Sequence, residues 1–237
     1  MTSPNELKAL STTAMKMVFE ELAPAFERGS GCRLVVNLGP SFQLEKRLRE
    51  GESADVAIVT RAGAEDLLAR GIFAAGSLVG VARSPIGVCV AKGAARPDLS
   101  SAESFKLAMH NAKSIALSKP VGGGASGAHM AKVFEQLGIT AAMAAKAKYG
   151  VGGSAGLSGL VVLRGEADIG IQQMAELIAV SGIDVVGPLP AELQSVTLFT
   201  AGIPTSASHP DEGRAVIDFL TTPAAKSVIK AKGLEPA

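Results

Sequence analysis

The chain has 237 residues, of which 47% are hydrophobic and 19% are charged, so it can bury one large core or two smaller ones. Basic and acidic side chains nearly balance at 23 and 22, and aromatic residues make up only 4% of the chain. A chain without a field of one sign and with few stacking aromatics is poorly suited to nucleic acid. No apolar run reaches the length of a membrane span. We therefore expect an ordered protein that has no nucleic-acid partner and is not membrane-embedded.

The cysteines and the glycine-rich segments indicate no metal and no cofactor. Cys32 and Cys89 lie in apolar, strand-like runs, and the sequence has no CxxC motif and no Cys/His cluster. Buried thiols are the simpler interpretation, and a disulfide stays open. At the end of the loop Gly122–Gly127, Ser126-Gly127-Ala128 stands where a phosphate-binding loop requires its lysine.

The residues ahead of the first apolar run, Met1 to Glu6, bear on localisation. They contain no basic segment, no long apolar stretch and no small-residue cleavage site, which are the parts of a secretory signal. The sequence as written therefore predicts a cytoplasmic protein, and a periplasmic one if a signal was removed ahead of Met1.

The first part of the chain alternates between apolar strands and amphipathic helices. Strands are predicted at Leu7–Leu10, Cys32–Leu38 and Asp55–Thr60. Helices are predicted from the first strand to about Arg28, from Ser41 to about Glu50 and from Gly63 to Arg70. This alternation is typical of a parallel sheet with right-handed crossovers.

The middle of the chain predicts a second unit of the same kind. Strands at Leu78–Ala82 and Ile86–Ala91 are separated near Pro85, where we expect the chain to leave the first unit. Further strands are predicted at Ser114–Leu117, Ala167–Ile171 and Ile183–Val186. The helices between them are predicted up to Asn111, over Ser126–Leu137, up to Gly165 and from Gln172.

The last part of the chain returns to the first unit. Val196–Ala201 is predicted as a strand, and Pro210–Leu220 and Pro223–Lys232 as helices with proline in the first turn. The expected fold is therefore α/β with two lobes, each a mostly parallel sheet flanked by helices. Lobe one comprises residues 1–82 and 197–237, lobe two comprises residues 83–196, and the two crossing segments form a hinge.

Five junctions share one form, in which an apolar strand is followed by small or polar residues and then by a helix N-terminus. They are Ser11–Thr13, Gly39–Ser41, Gly122–Gly127, Gly152–Ser154 and Gln172–Gln173. Free N–H groups and hydroxyls at such junctions bind anions, and in open α/β sheets the junctions meet at the carboxyl ends of the strands. Together they predict an anion site in a cleft between the lobes. Each junction alone is also consistent with an ordinary helix cap.

Charged side chains near these junctions leave two interpretations open. Arg61 follows the third strand and Arg83 stands at the crossing, and each can pair with a carboxylate ligand. Arg61 can equally pair with Glu65 on its own helix, and Arg83 can bond hinge carbonyls. His129 follows the glycine-rich loop and either faces the site or lies on the helix surface.

The junctions, taken in order, carry a resemblance to a known family. The segments concerned are Leu10-Ser11-Thr12-Thr13, Leu38-Gly39-Pro40-Ser41, residues 51–58, residues 165–171 and residues 215–226. Over nearly its whole length the chain resembles the periplasmic molybdate-binding proteins, which have the type 2 periplasmic-binding-protein fold. The resemblance implies a solute-binding protein for a small anion, with an ABC-transporter permease as its partner.

The family's ligand contacts fall on the strand-to-helix junctions of this chain, and the two arginines complete the expected site. The expected ligand-binding residues are Ser11, Thr12, Thr13, Ser41, Phe42, Arg61, Arg83, Gly124, Ala125, Ser126, Gly153, Ser154 and Gln172. Gln172 or Gln173 stands where the resemblance implies an oxyanion-binding tyrosine, and Phe42 replaces a small residue.

Three functions remain open at this point. The first is the binding of an organic carboxylate or of a tetrahedral oxyanion such as molybdate. The second is the isomerisation of aconitate-like tricarboxylates, because the Gly-Gly-Ala-Ser-Gly run at 123–127 is similar to the aconitate isomerase-like branch of the family. His129 would then be the candidate base. The third is a cytoplasmic ligand-sensing domain.

Overall fold

A computed structural model describes residues 6–150 and 157–237 of the chain. The elements up to the first crossing are β1 (Glu6–Thr12), α1 (Lys16–Ser30), β2 (Arg33–Gly39), α2 (Ser41–Arg49), β3 (Val56–Thr60), α3 (Arg61–Ala69) and β4 (Val79–Ala91). They are followed by α4 (Ala102–Asn111), β5 (Ile115–Leu117), α5 (Ala125–Gln136), α6 (Thr140–Ala144), β6 (Ala147–Tyr149), α7 (Ser158–Leu163), β7 (Ile169–Gln173), α8 (Met174–Ile178) and β8 (Ile183–Pro188). The last elements are β9 (Val196–Gly202), α9 (Pro210–Leu220), α10 (Pro223–Ala231) and β10 (Glu235–Pro236).

Internal contacts divide the chain into two compact units. Unit 1 comprises Met1–Arg83 and Leu198–Ala237, and unit 2 comprises Ser84–Thr197. The chain passes from one unit to the other twice, within β4 and within β9.

The sheet of unit 1 places the ends of three strands side by side. β1 pairs in parallel with β2, where Thr12 lies opposite Gly39, and with β3, where Ser11 lies opposite Ile58. β9 pairs antiparallel with β3, and β10 pairs antiparallel with β4. Because β1, β2 and β3 run in the same direction, their carboxyl ends share one edge of this sheet.

Apolar side chains fix α2 and α3 against this sheet. Leu10, Leu44, Leu67 and Phe73 belong to one buried cluster that also includes Ala57 and Val59 of β3. Burial of these apolar side chains holds α2 and α3 against the sheet, since such burial is the main stabilising term. The first residues of the two helices are thereby fixed at the ends of β2 and β3.

The sheet of unit 2, like that of unit 1, contains both parallel and antiparallel strand pairs. β5 pairs in parallel with β6 and β7, whereas β4 pairs antiparallel with β7 and β8. Its largest cluster contains Phe105, Met109, Met130 and Phe134, which pack helices α4 and α5 together with the strands. The parallel pairing brings the end of β5 beside β7, with Leu117 opposite Ile171.

The predicted α/β fold is confirmed, whereas two local predictions are wrong and two short elements were missed. The break predicted near Pro85 is absent, because Ala82 and Arg83 pair with β10 while Ile86 begins the pairing with β7, so Pro85 lies between two pairings. A short helix and strand, α6 and β6, were not predicted from the alanine-rich sequence between α5 and α7. The predicted helix start at Gln172 is a strand end instead.

The two cysteines are both free thiols in this structure. Cys89 is buried on β4, and this burial raises the pKa of its thiol to about 12, so the thiol stays protonated and unreactive at neutral pH. No helix in the described part of the chain is both long and apolar enough to cross a membrane.

Candidate functional site

The end of β1 carries three buried hydroxyl side chains, and Thr12 among them does not act as a helix cap. β1 extends through Ser11 and Thr12, and a 3-10 turn at Thr13–Met15 separates it from α1. Thr12 occupies the N-cap position of that turn without a side-chain cap bond. The N-cap residue of α1 is Met15, which has no capping oxygen. The helix-cap interpretation of Thr12 is therefore wrong.

The junction after β2 also lacks a side-chain helix cap. Ser41 is the first residue of α2 and is only 2% exposed, while Pro40 occupies the N-cap position and provides no side-chain cap. Among the described residues, no hydrogen-bond partner is found for the hydroxyl of Ser41 or of Thr12. Phe42, also a predicted site residue, is half-buried beside Ser41. Two hydroxyls at one sheet edge are thus available to another partner.

The junction after β3 brings together two buried polar side chains, Thr60 and Glu45, that were not predicted as site residues. Thr60 caps α3, because its hydroxyl accepts a hydrogen bond from the backbone N–H of Gly63 at 3.2 Å. The same hydroxyl donates to the carboxylate of Glu45 on α2 at 3.2 Å. Burial raises the pKa of Glu45, and this effect exceeds the opposing effect of the Thr60 hydrogen bond. The missed signal was the i+4 spacing of Ser41 and Glu45, which puts them on one helix face.

In unit 2, the start of α5 lies close against the end of β5 and its loop. Gly124 is the N-cap residue of α5 and makes no side-chain cap bond, so the first N–H groups of the helix have no side-chain acceptor there. Ala125 is half-buried, and Ser126 is 1% exposed and buried in the first turn. At Gly127, a Cβ atom would lie 2.4 Å from the carbonyl oxygen of Ser118, so only glycine permits this close approach.

Gln172 and Gln173 form the buried end of β7 and have different partners. The Gln172 side-chain oxygen accepts from the backbone N–H of Ser158 at 2.7 Å and from its hydroxyl at 3.0 Å. The Gln173 amide nitrogen donates to the hydroxyl of Thr197 at 2.8 Å. Within the described residues the Gln173 side-chain oxygen has no partner and is buried. The oxygen of Gln172 is therefore engaged in holding the start of α7.

His129 lies near the start of α5 with its ring held by the backbone. Its Nε2 lies 2.8 Å from the carbonyl oxygen of Leu193, and the ring is partly buried. Since a carbonyl only accepts, Nε2 carries the proton in this hydrogen bond, and in the neutral ring the lone pair is on Nδ1. Nδ1 is therefore the only ring atom that can take up a proton while this contact lasts.

Comparison with known proteins identifies the family. The family model of bacterial extracellular solute-binding proteins matches residues 7–235. The chain belongs to this family. The resemblance stated from the sequence is thereby confirmed.

One curated relative and two solved structures of other proteins are informative. An aconitate isomerase from a Pseudomonas species is 34% identical over 236 residues, covering 97% of this chain and 87% of that protein. The periplasmic molybdate-binding protein of Azotobacter vinelandii is 22% identical, with a TM-score of 0.79, over 96% of this chain and 98% of that one. The sulfate-binding protein of Mycobacterium tuberculosis is 14% identical, with a TM-score of 0.76, over 98% and 87%. The two structures show the fold that this solute-binding protein shares.

The two arginines predicted to bind the ligand of this solute-binding protein are exposed and have other partners. Arg61 is the first residue of α3 and its Nε lies 2.8 Å from Glu65, with both side chains more than half exposed. Arg83 donates through Nη1 to the carbonyl oxygen of Pro236 at 3.3 Å. These contacts favour the alternatives considered from the sequence, a solvated ion pair for Arg61 and a structural role for Arg83.

The remaining predicted positions belong to the predicted junction Gly152–Ser154. Gly153 and Ser154 fall outside the described residues, so their ligand-binding role stays a prediction. The structure thus gathers Ser11, Thr12 and Ser41 at one edge of unit 1. It gathers Gly124, Ala125 and Ser126 at the start of α5 in unit 2.

Proposed function

We propose that this protein binds a small organic polycarboxylate through hydroxyls and helix N-termini at the strand-to-helix junctions. The observation that carries the proposal is a difference between two groups of hydroxyls at helix starts, those that cap their own helix and those that do not. Thr60, Ser101 and Thr222 each accept a hydrogen bond from their own helix, as ordinary caps do. The hydroxyls of Thr12, Ser41 and Ser126 do not, although these residues are more deeply buried.

The chemistry of the free groups suits a carboxylate. The hydroxyls of Thr12, Ser41 and Ser126 cap no helix and can donate to a ligand oxygen. The uncapped starts of α2 and α5 add backbone N–H donors and the positive end of a helix dipole. Hydrogen bonds to a charged acceptor are about twice as strong as neutral ones, so a few such donors can hold an anion without a paired arginine.

The relative supports a tricarboxylate within this class. The 34% identical protein that spans nearly the whole chain is an aconitate isomerase. Glutamine stands at 172 and 173, where the molybdate-binding resemblance implies a tyrosine. Both points favour an aconitate-like acid over a tetrahedral oxyanion. If binding alone is the function, an ABC-transporter permease is the partner that we propose.

A thermal-shift panel tests the ligand class. We expect trans-aconitate, cis-aconitate or citrate to raise the melting temperature in a concentration-dependent way, because a ligand at about 100 times its Kd adds about 2.7 kcal/mol to stability. Molybdate and sulfate should produce smaller shifts at equal concentration and ionic strength. A shift with the oxyanions alone, or with no anion of the panel, would contradict the proposal.

A second candidate, isomerisation of aconitate, is favoured by the same relative and by the position of His129. The reaction removes a proton from the methylene carbon and returns one to the far carbon of the allylic system, so the double bond moves and atoms and electrons balance. Nδ1 of His129 is the base that we propose. Proton NMR of trans-aconitate with the purified protein should then show cis-aconitate, and H129Q should abolish turnover while retaining binding. An unchanged spectrum with the wild type leaves binding as the function.

A further inference from the structure

Glu45 is a buried carboxyl group that ties two helices together beside the candidate site of unit 1. It lies one turn after Ser41 on α2 and is 5% exposed. Its carboxyl accepts a hydrogen bond from the hydroxyl of Thr60, which in turn accepts from the N–H of Gly63. This chain of hydrogen bonds connects the first two turns of α2 to the start of α3.

The packing around Glu45 shows that its position is closely defined. A Cβ atom built on Gly63 would lie 2.0 Å from the carboxyl oxygen of Glu45, so a side chain there would displace the carboxyl. Glycine at this place lets α3 approach α2 closely enough for the hydrogen bond through Thr60. The carboxyl thus lies close to the backbone of α3 at Gly63 and to the hydroxyl of Thr60.

The charges facing Glu45 do not compensate its burial. Arg49, on α2 itself, favours the carboxylate, and Asp66, on α3, disfavours it. Arg49 and Asp66 pair with each other at 3.3 Å, and β3 contributes Thr60, which does not titrate. Loss of water around the carboxyl is the largest effect, and it raises the pKa of Glu45 above its usual value of 4.5.

We propose that Glu45 is a positioning residue that, as a neutral acid, holds the Ser41 end of α2 in place and whose deprotonation weakens anion binding there. This inference rests on the proposed function, because it assigns a pH-dependent affinity to the same site. The neutral acid keeps the hydrogen bond with Thr60 and adds no charge. The carboxylate places a negative charge one helical turn from a hydroxyl that donates to an anion.

Ligand affinity measured against pH tests the functional part of the inference. Titration calorimetry with trans-aconitate compares wild type with E45Q, which mimics the neutral acid, at each pH from 4.5 to 8. The ratio of the two affinities cancels the titration of the ligand. We expect similar affinities at pH 4.5 and an advantage of E45Q that grows to about threefold or more as pH rises. E45A, which cannot bond Thr60, should bind more weakly than E45Q at every pH.

Stability without ligand tests the structural part separately. A group whose pKa is raised in the folded protein stabilises it below its unfolded value and loses that contribution as pH rises through the folded value. The melting temperature of the wild type should therefore fall relative to E45Q as pH rises above about 4.5. T60V should lower it at every pH, while T60S, which keeps the hydroxyl, should restore it.

The outcomes separate this inference from the proposed function. If neither protein binds trans-aconitate but the pH-dependent stability difference is present, the proposed function fails and the Glu45–Thr60 tie stands. If both proteins bind with a constant ratio of affinities from pH 4.5 to 8, the positioning role of Glu45 is overturned. A difference in melting temperature between wild type and E45Q that stays constant over the same pH range would show that Glu45 does not change its protonation there.

Discussion

At the residue scale, the structure distinguishes hydroxyls that serve their own helices from hydroxyls that do not. The sequence places serine or threonine at several strand-to-helix junctions, and sequence patterns cannot tell which of them cap. Ser101 and Thr222 cap their helices, whereas Thr12 and Ser41 do not. The difference depends on the exact helix start, which is a property of the folded backbone and not of residue type. For this reason the junctions could be predicted, but not the residues that are free to bind a ligand.

Gln172 provides a residue-scale prediction of stability. Its side-chain oxygen accepts two hydrogen bonds from Ser158, and all these groups are buried. Q172A leaves both donors unpaired and should lower the free energy of unfolding by about 1–3 kcal/mol in urea denaturation. S158A removes one donor and should cost less, and the two changes should be non-additive in the double mutant. Additive effects would show that the two residues do not act through this contact.

Glu52 provides a residue-scale prediction of acid stability. Hydrogen bonds from Arg47, chiefly, and from Lys8 lower its pKa from 4.5 to about 2. A carboxyl with a lowered folded pKa stabilises the protein above its unfolded value and loses this contribution as pH falls through the folded value. The melting temperature of the wild type should therefore exceed that of E52Q near neutral pH, and the gap should close between pH 4.5 and 2. A gap independent of pH would contradict this role.

At the element scale, short-range patterns predicted most helices and strands, and the errors have physical causes. Proline near position 85 suggested a break, but β4 continues because different strands pair with it on the two sides of Pro85. Polar Gln172 and Gln173 suggested a helix start, yet both are buried at the end of β7. Their side chains form hydrogen bonds with residues that are distant in the sequence. Such partners are far apart in sequence, so local periodicity carries no signal of them.

The start of α5 gives a prediction at this scale with a matched control. G127A would place a Cβ atom 2.4 Å from the carbonyl oxygen of Ser118, so the helix or the loop must shift. At Gly124 the nearest atom would be 3.6 Å away, which is ordinary contact. G127A should lower the melting temperature and weaken trans-aconitate binding, whereas G124A should retain most of the melting temperature. Equal behaviour of the two variants would show that close packing of α5 on the β5 loop is unimportant.

At the scale of the whole molecule, the family and the α/β fold could be read from ordered junction motifs, and the ligand could not. Each unit brings its own set of donors to the ends of its strands, Thr12 and Ser41 in unit 1 and Ala125 and Ser126 in unit 2. Arg61 and Arg83 were predicted to bind the ligand with these donors, because positive charge suggests anion binding. In the structure both are exposed and have other partners, and exposure is not visible in the sequence. Buried Glu45 and Thr60 were missed because their contact joins separate elements.

The most direct test of the central claim is titration calorimetry of trans-aconitate with wild type, S41A, S126A and the cap variant S101A. If the hydroxyls of Ser41 and Ser126 bind a carboxylate ligand, S41A and S126A should each weaken affinity by about tenfold, the cost of one hydrogen bond to a charged group. S101A removes a true helix cap, so it should lower the melting temperature and leave affinity within about twofold. No binding to the wild type, or equal affinity in all four proteins, would contradict the account.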